Sequence, residues 1–342
     1  MNYGKLTELV YKRSVDKVIR DISQKNMSFY DGAALGADCA ILPSGLFSAR
    51  ALASGRDENA AARAFFAASN NAWAALREEP ADAYAVLSVK LPERCREIKA
   101  RRIIEQAALG ARQLGIPIMG ADVSVLPCVS GIIAECVVSG RVNRTDGKER
   151  LGARAGDDIV MTNWIGLEGT AIIADGSFDR LCERYPSDMI EEARGFIRHF
   201  SVAAQARAAV EAATAVKSDA GCMLAAREGG IFGALWALAS DNGVGLVADL
   251  KDIPVRQETI EVCEFFDLNP YELLAGGSLL ITTSRGAELA ERLCDKGINA
   301  AVIGKICEGN DRIVRHGEET RYLEPAKGDE IFRYYEIVNN MR

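Results

Sequence analysis

Four short segments combine small residues with a carboxylate or amide beside an expected strand or helix end, and three of them carry glycine. They are Gly36-Ala-Asp-Cys-Ala40, Ser69-Asn-Asn-Ala72, Met119-Gly-Ala-Asp-Val123 and Arg227-Glu-Gly-Gly-Ile231. Such residue types suit charged ligands, because carboxylates hold hard cations and glycine lets a ligand approach the backbone closely. Each segment also has an ordinary explanation. Gly36 and Gly120 can serve turns, Asn70 and Asn71 can be buried amides, and Glu228-Gly229-Gly230 can simply start a helix.

Other reactive groups are sparse. His199 and His316 are the two histidines, the first at the end of an amphipathic helix and the second among charges in an expected hairpin, so neither suits a general base. Nine cysteines form an odd set without a C-x-x-C pair, which fits buried small hydrophobes better than a disulfide or metal framework.

The elements that must position these segments are legible from periodicity. Apolar residues recur at helical spacing over 6–22, and an extended stretch over 38–51 is broken by Pro43-Ser-Gly45. An alanine-rich helix runs from Asp57, its expected N-cap, to about Arg77, with Pro80 beyond its end. Strands are expected at 83–89, 116–119 and 131–142, with a helix over 93–114 closed by Gly115. After the polar, turn-rich stretch 141–150 come strands at 158–162, 244–247, 278–283 and 300–306. Helices are expected at 166–174, 188–199, 202–213, 228–240, 255–266 and 286–296. This order predicts an α+β fold of layered sheets and helices in two domains, 1–150 and 151–342, with helices against one face of each sheet.

Size and composition agree with that plan. A chain of 342 residues, 49% apolar and 26% charged with mean hydropathy near zero, suits two cores of about 150 residues each. No 18-residue apolar window and no apolar signal-like stretch at the start are present, so a cytoplasmic protein that does not span a membrane is expected. A net charge of −7 argues against a nucleic-acid partner, and the cluster Lys99-Ala-Arg101-Arg102 reads as a solvated helix face.

Taken in order, the four segments resemble the aminoimidazole ribonucleotide (AIR) synthase superfamily. The likeness is to its hydrogenase-maturation, HypE-like branch through Asn163-Trp-Ile-Gly-Leu-Glu-Gly-Thr-Ala-Ile-Ile173, Glu228-Gly-Gly-Ile-Phe-Gly-Ala-Leu-Trp-Ala-Leu238 and Ile253-Pro-Val-Arg-Gln-Glu-Thr259. Asn269-Pro-Tyr-Glu-Leu-Leu-Ala-Gly-Gly-Ser-Leu-Leu280 and Gly297-Ile-Asn-Ala-Ala-Val-Ile-Gly304 extend it over nearly the whole chain. The resemblance implies a homodimer whose N-terminal domains form a β-barrel-like core beside an ATP groove. It also implies phosphoryl transfer to an oxygen, with Mg²⁺ held by carboxylates. It places Lys5, Gly36, Asp38, Arg50, Asn70, Asn71, Gly120, Asp122, Glu228, Gly229 and Gly230 at the nucleotide, with Asp38 and Asp122 as the metal ligands.

The departures from the family pattern are concentrated at its acids. Ala37 stands where an acid is usual, Asn71 replaces the aspartate of an Asn-Asp pair, Leu224 and Ala225 replace a His-Asp pair, and Arg50 occupies an acidic position. A full Mg²⁺ site is therefore not expected. Arg50 either supplies the missing positive charge to a phosphate or carboxylate, or pairs with Asp38 or Asp122 in a remodelled groove. The enzyme resembled carries its substrate group on a C-terminal cysteine. This sequence ends Ile337-Val-Asn-Asn-Met-Arg342, and its last cysteine is Cys307 in an expected strand, so that carrier chemistry is not expected. The leading expectation is a paralogue with a nucleotide or phosphorylated-ligand groove and weak or altered ATP chemistry. An active ATP-dependent enzyme on another small substrate and a non-catalytic scaffold or regulatory subunit are the alternatives.

Overall fold

The computed structural model describes residues 6, 8–17, 38–42, 44–142, 152–218 and 220–340. Lys5, Gly36 and Ala37 lie outside them, as does most of the polar stretch 141–150. Of the expected helix over 6–22, the described part is a turn at Glu8–Tyr11 followed by a π-turn at Lys12–Asp16.

The first sheet has the order β1-β2-β5-β3-β4. Its strands are β1 (Cys39–Ile41), β2 (Leu46–Gly55), β3 (Ala81–Leu91), β4 (Ile118–Val125) and β5 (Ile132–Arg141). β3 and β4 are parallel and the other pairs antiparallel. Alternation fixes its two faces. Ala49, Val138 and Ala85 fall in one register row, and Ala53, Ala134 and Val89 in another, all buried beneath two helices. The helices are α1 (Ala60–Leu76) and α2 (Glu97–Leu114), the latter closed by Gly115 in the left-handed conformation as its sequence predicts. Asp57 stands three residues before the start of α1 and accepts the Asn59 N–H instead of capping it. The opposite face exposes Leu46, Leu52, Tyr84 and Val86.

The second sheet, order β12-β11-β8-β10-β6-β9-β7, is mixed. It comprises β6 (Asp158–Thr162), β7 (Met223–Ala225), β8 (Gly245–Asp249), β9 (Leu279–Thr283), β10 (Ala300–Cys307), β11 (Arg312–His316) and β12 (Glu319–Tyr322). Helices lie on both of its faces, which corrects the expectation of one covered face. The cause is in the central strands: Ile159 and Met161 of β6 point to one core, Val160 to the other, and every residue of β9 is buried. One core takes α7 (Gly230–Asn242). The other takes α6 (Ala203–Ala215), α9 (Gly286–Asp295) and, from the first unit, Trp73 and Ala74 of α1.

A further cluster joins α3 (Leu167–Gly176), α4 (Phe178–Cys182), α5 (Ser187–Arg194), α8 (Gln257–Phe265) and the last helix, α10 (Glu330–Asn340). Leu167 and Ala171 of α3 also enter the core of the first sheet, as do Phe196 and Phe200. The two sheets are thus packed together through α1 and α3. No helix among the described residues is long and apolar enough to cross a membrane.

Candidate functional site

A cavity of about 970 Å³ lies between the two sheets. Its first wall comes from β2, α1 and β5, and its second from β7, the start of α7 and the segment 325–332. The volume stands at the upper end of the range that small-molecule sites use.

The first wall carries much of the expected set. Asp38, Arg50 and Asn71 line the cavity together, joined by Glu135, which the sequence did not single out. Arg50 is exposed to solvent and its guanidinium makes no ion pair with Asp38, Asp122 or any other described residue. Asn71 Nδ2 donates to the Arg50 carbonyl at 3.0 Å, so this amide braces the strand from which Arg50 projects. Glu228 and Gly229 line the second wall with Leu224 and Ala225.

Other expected residues have different surroundings. Asn70 is buried and works between the units: its Nδ2 donates to the Phe200 carbonyl at 2.6 Å and its Oδ1 accepts the Val202 N–H at 2.9 Å. Asp122 and Gly120 sit on β4, at the opposite edge of the first sheet from Asp38, and neither lines the cavity. Four strand spacings, about 19 Å along the sheet, separate the two acids within one chain. Asp122 instead pairs with Lys90 on the exposed face, and Lys90 holds its carboxyl below the usual range. Asp38 and Asp122 of one chain therefore do not share a metal.

Packing requires glycine at 229 and 230. Both have positive φ, and a Cβ on Gly230 would stand 2.3 Å from the Tyr271 carbonyl oxygen. The amides at this helix start are already used: Gly229 N–H donates to Asp329, Gly230 N–H to the Arg227 carbonyl and Phe232 N–H to that of Tyr271.

The strongest electrostatic feature was not singled out from the sequence. Glu168 of α3, almost wholly buried, accepts Arg63 Nη1 at 3.3 Å and Arg227 Nε at 3.4 Å. Arg63 also donates to Asp57 at 2.8 Å and to the Ser54 carbonyl at 3.0 Å, while Arg227 Nη1 donates to the Leu52 carbonyl at 2.6 Å. Both arginines line the cavity, and the network ties β2 and α1 to the second unit. A second buried acid, Asp329, borders the cavity on the far side. The available signals were single charges inside apolar runs, Arg63 within Ala60–Ala64 and Glu168 within Ile165–Ile173, and an aspartate just before an amphipathic helix.

No three His, Cys, Asp or Glu side chains converge on a common point among the described residues. An octahedral Mg²⁺ bound to phosphates draws on one or two carboxylates, whereas the family's multi-metal arrangement needs more. Among the described residues the donor set of this cavity does not assemble such an arrangement.

Residues 154–317 match the family model described as AIR synthase related protein, C-terminal domain. The chain resembles the AIR synthase-related proteins over that segment. Within them its likeness is to the HypE-like branch: it is 29% identical over 223 residues to the carbamoyl dehydratase HypE of Azotobacter vinelandii, a match covering 63% of this chain. The chain spans 60% of the length of that relative. Among solved structures it resembles the hydrogenase maturation protein HypE in complex with ATP, with a TM-score of 0.64, 16% identity and coverage of 94% of this chain and 96% of that one. It also resembles AaThiL complexed with AMPPCP and TMP, with a TM-score of 0.63, 18% identity and coverage of 94% and 99%. At these identities the structural likenesses establish the two-unit fold.

Proposed function

We propose that this protein is a HypE-like homodimer that binds a nucleotide or phosphorylated small molecule in the cavity between its sheets, with arginine in place of most of the metal-held charge. The units are residues 1–150, which dimerise and form the first wall, and 151–342, which close the second. The observation that carries this reading is Arg50: a guanidinium without an ion-pair partner among the described residues, exposed on the cavity wall beside Asp38 and Asn71. A free guanidinium recognises phosphate or carboxylate oxygens with two parallel N–H donors. Structural neighbours bound to ATP and to AMPPCP with TMP support a nucleotide of this class.

The chemistry follows from what each group offers. Arg50 would neutralise ligand oxygens. The acids on the cavity walls, Asp38, Glu135, Glu228, Asp241 and Asp329, do not converge in threes among the described residues, so phosphoryl transfer is weak or altered compared with an enzyme that assembles several metals. The second copy docks on the outer face of the first sheet, where Leu46, Leu52, Tyr84 and Val86 are exposed. Leu52 also lines the cavity, so the dimer surface adjoins it.

A thermal-shift screen of nucleotides and phosphorylated metabolites, with and without Mg²⁺, tests the assignment. Stabilisation by at least one phosphorylated ligand is expected, and Arg50→Ala should weaken it by about 1.5–3 kcal/mol, the cost of a lost charge-assisted hydrogen bond. Equal shifts for wild type and Arg50→Ala contradict the role given to Arg50.

A further inference from the structure

Residues 324–329 run without regular structure from β12 to α10 and form part of the cavity wall through Pro325, Ala326, Gly328 and Asp329. Residues 324–327 are exposed, whereas Asp329 is buried at 4% exposure. Its Oδ2 accepts the Gly229 N–H at 2.7 Å, and its Oδ1 accepts Leu274 N–H at 3.2 Å and Ile331 N–H at 2.9 Å. One carboxylate thus joins the start of α7, the loop before β9 and the start of α10. Beyond it, α10 reaches the first unit, where Asn339 accepts Arg56 at 2.7 Å and the buried Tyr335 hydroxyl lies beside Arg63 and Asp57.

We propose that residues 324–329 are a strap that gates the cavity, with the Asp329 carboxylate as its fastener. The proposal rests on the cavity being the ligand site and concerns its regulation. The fastener consists of three backbone N–H bonds, with no ion pair to a cation among the described residues. The charged groups on the surrounding elements are mainly acidic: Glu228 before α7, Glu272 in the loop before β9, and Glu330 on α10. Lys327 of the strap and Arg321 of β12 are the cations whose charge acts on Glu272. Burial and Glu228 both disfavour the ionised carboxylate, against the three N–H donors. Lifting the strap hydrates it and opens the cavity in one step.

Two readouts that need no ligand test the gate. Amide exchange at Gly229, Leu274 and Ile331 should quicken about tenfold or more in Asp329→Ala, and less in Asp329→Asn, relative to amides of β8. Cys222, half-buried on the cavity wall, should react with N-ethylmaleimide about tenfold faster in the variant, measured against the exposed Cys294 in the same chain. Unchanged exchange at the three amides overturns the fastener, and equal acceleration in β8 shows general destabilisation instead. Released amides with unchanged Cys222 labelling overturn the gate. If Asp329→Ala fails to fold, Asp329→Asn carries both comparisons. If wild type takes up no ATP, the nucleotide reading fails while these two measurements still decide the strap.

Discussion

Arg63 reaches out of the first unit to Glu168 of the second at 3.3 Å, with side chains 1% and 3% exposed. Glu168 also receives Arg227, so one buried carboxylate balances two guanidiniums at the junction of the sheets. Removing it leaves Arg227 without a carboxylate partner and Arg63 with Asp57 alone, and breaking a buried pair from one side costs about 3–5 kcal/mol. Glu168→Ala should therefore lower the urea midpoint severely, with Glu168→Gln intermediate. A loss below about 1 kcal/mol, the scale of an exposed pair, would show that the network contributes little.

The pH dependence of stability should carry the signature of Asp329. Burial pushes its carboxyl up to about 7, outweighing its three N–H donors, with Glu228 adding to the rise. An unfolded aspartate titrates near 4, so between about 4 and 7 the folded chain holds a proton that the unfolded chain has released. This contribution to stability falls as pH rises through that window and is gone above the folded value. Denaturation from pH 5 to 8 should show a steeper decline for wild type than for Asp329→Asn. Parallel profiles would exclude Asp329 as the source.

Association should depend on the exposed face of the first sheet. Leu52 and Val86 project from it on β2 and β3, and a charge there would be buried unpaired against a second copy. Light scattering at micromolar concentration should give a dimer for wild type and a monomer for Leu52→Glu/Val86→Glu. A wild-type monomer would remove the dimer from the account.

Much of this fold is legible in the sequence because its strands and helices keep clean periods. Asp158–Thr162 is a strand with the expected bounds, and Gly115 closes its helix as expected. β7 has three residues, too few for a period, and α10 was not recognised although Asp329 precedes an amphipathic pattern. The double-sided burial of the second sheet is written in the unbroken apolar runs of β6 and β9, which periodicity alone does not distinguish from helix segments. For the site, segment matching brought Asp38, Arg50, Asn71, Glu228 and Gly229 to one cavity. It could not supply Arg63, Glu168 or Asp329, whose roles arise from partners more than 50 residues away in the chain. Nor could it foresee that Asp122 stands across the sheet from Asp38, a matter of strand order.

If arginine rather than a carboxylate-held metal carries anion binding in this cavity, ATP affinity should depend little on Mg²⁺. Calorimetric titration of ATP into wild-type protein, once with Mg²⁺ and once with EDTA, tests it most directly. The Asn71→Asp/Ala225→Asp variant, which puts two carboxylates on the cavity wall, provides the comparison. Wild type should bind ATP with nearly equal affinity under both conditions, and the variant should gain Mg²⁺ dependence. Strict Mg²⁺ dependence of the wild type, accompanied by ATP hydrolysis, would show instead that a carboxylate-held metal carries the binding.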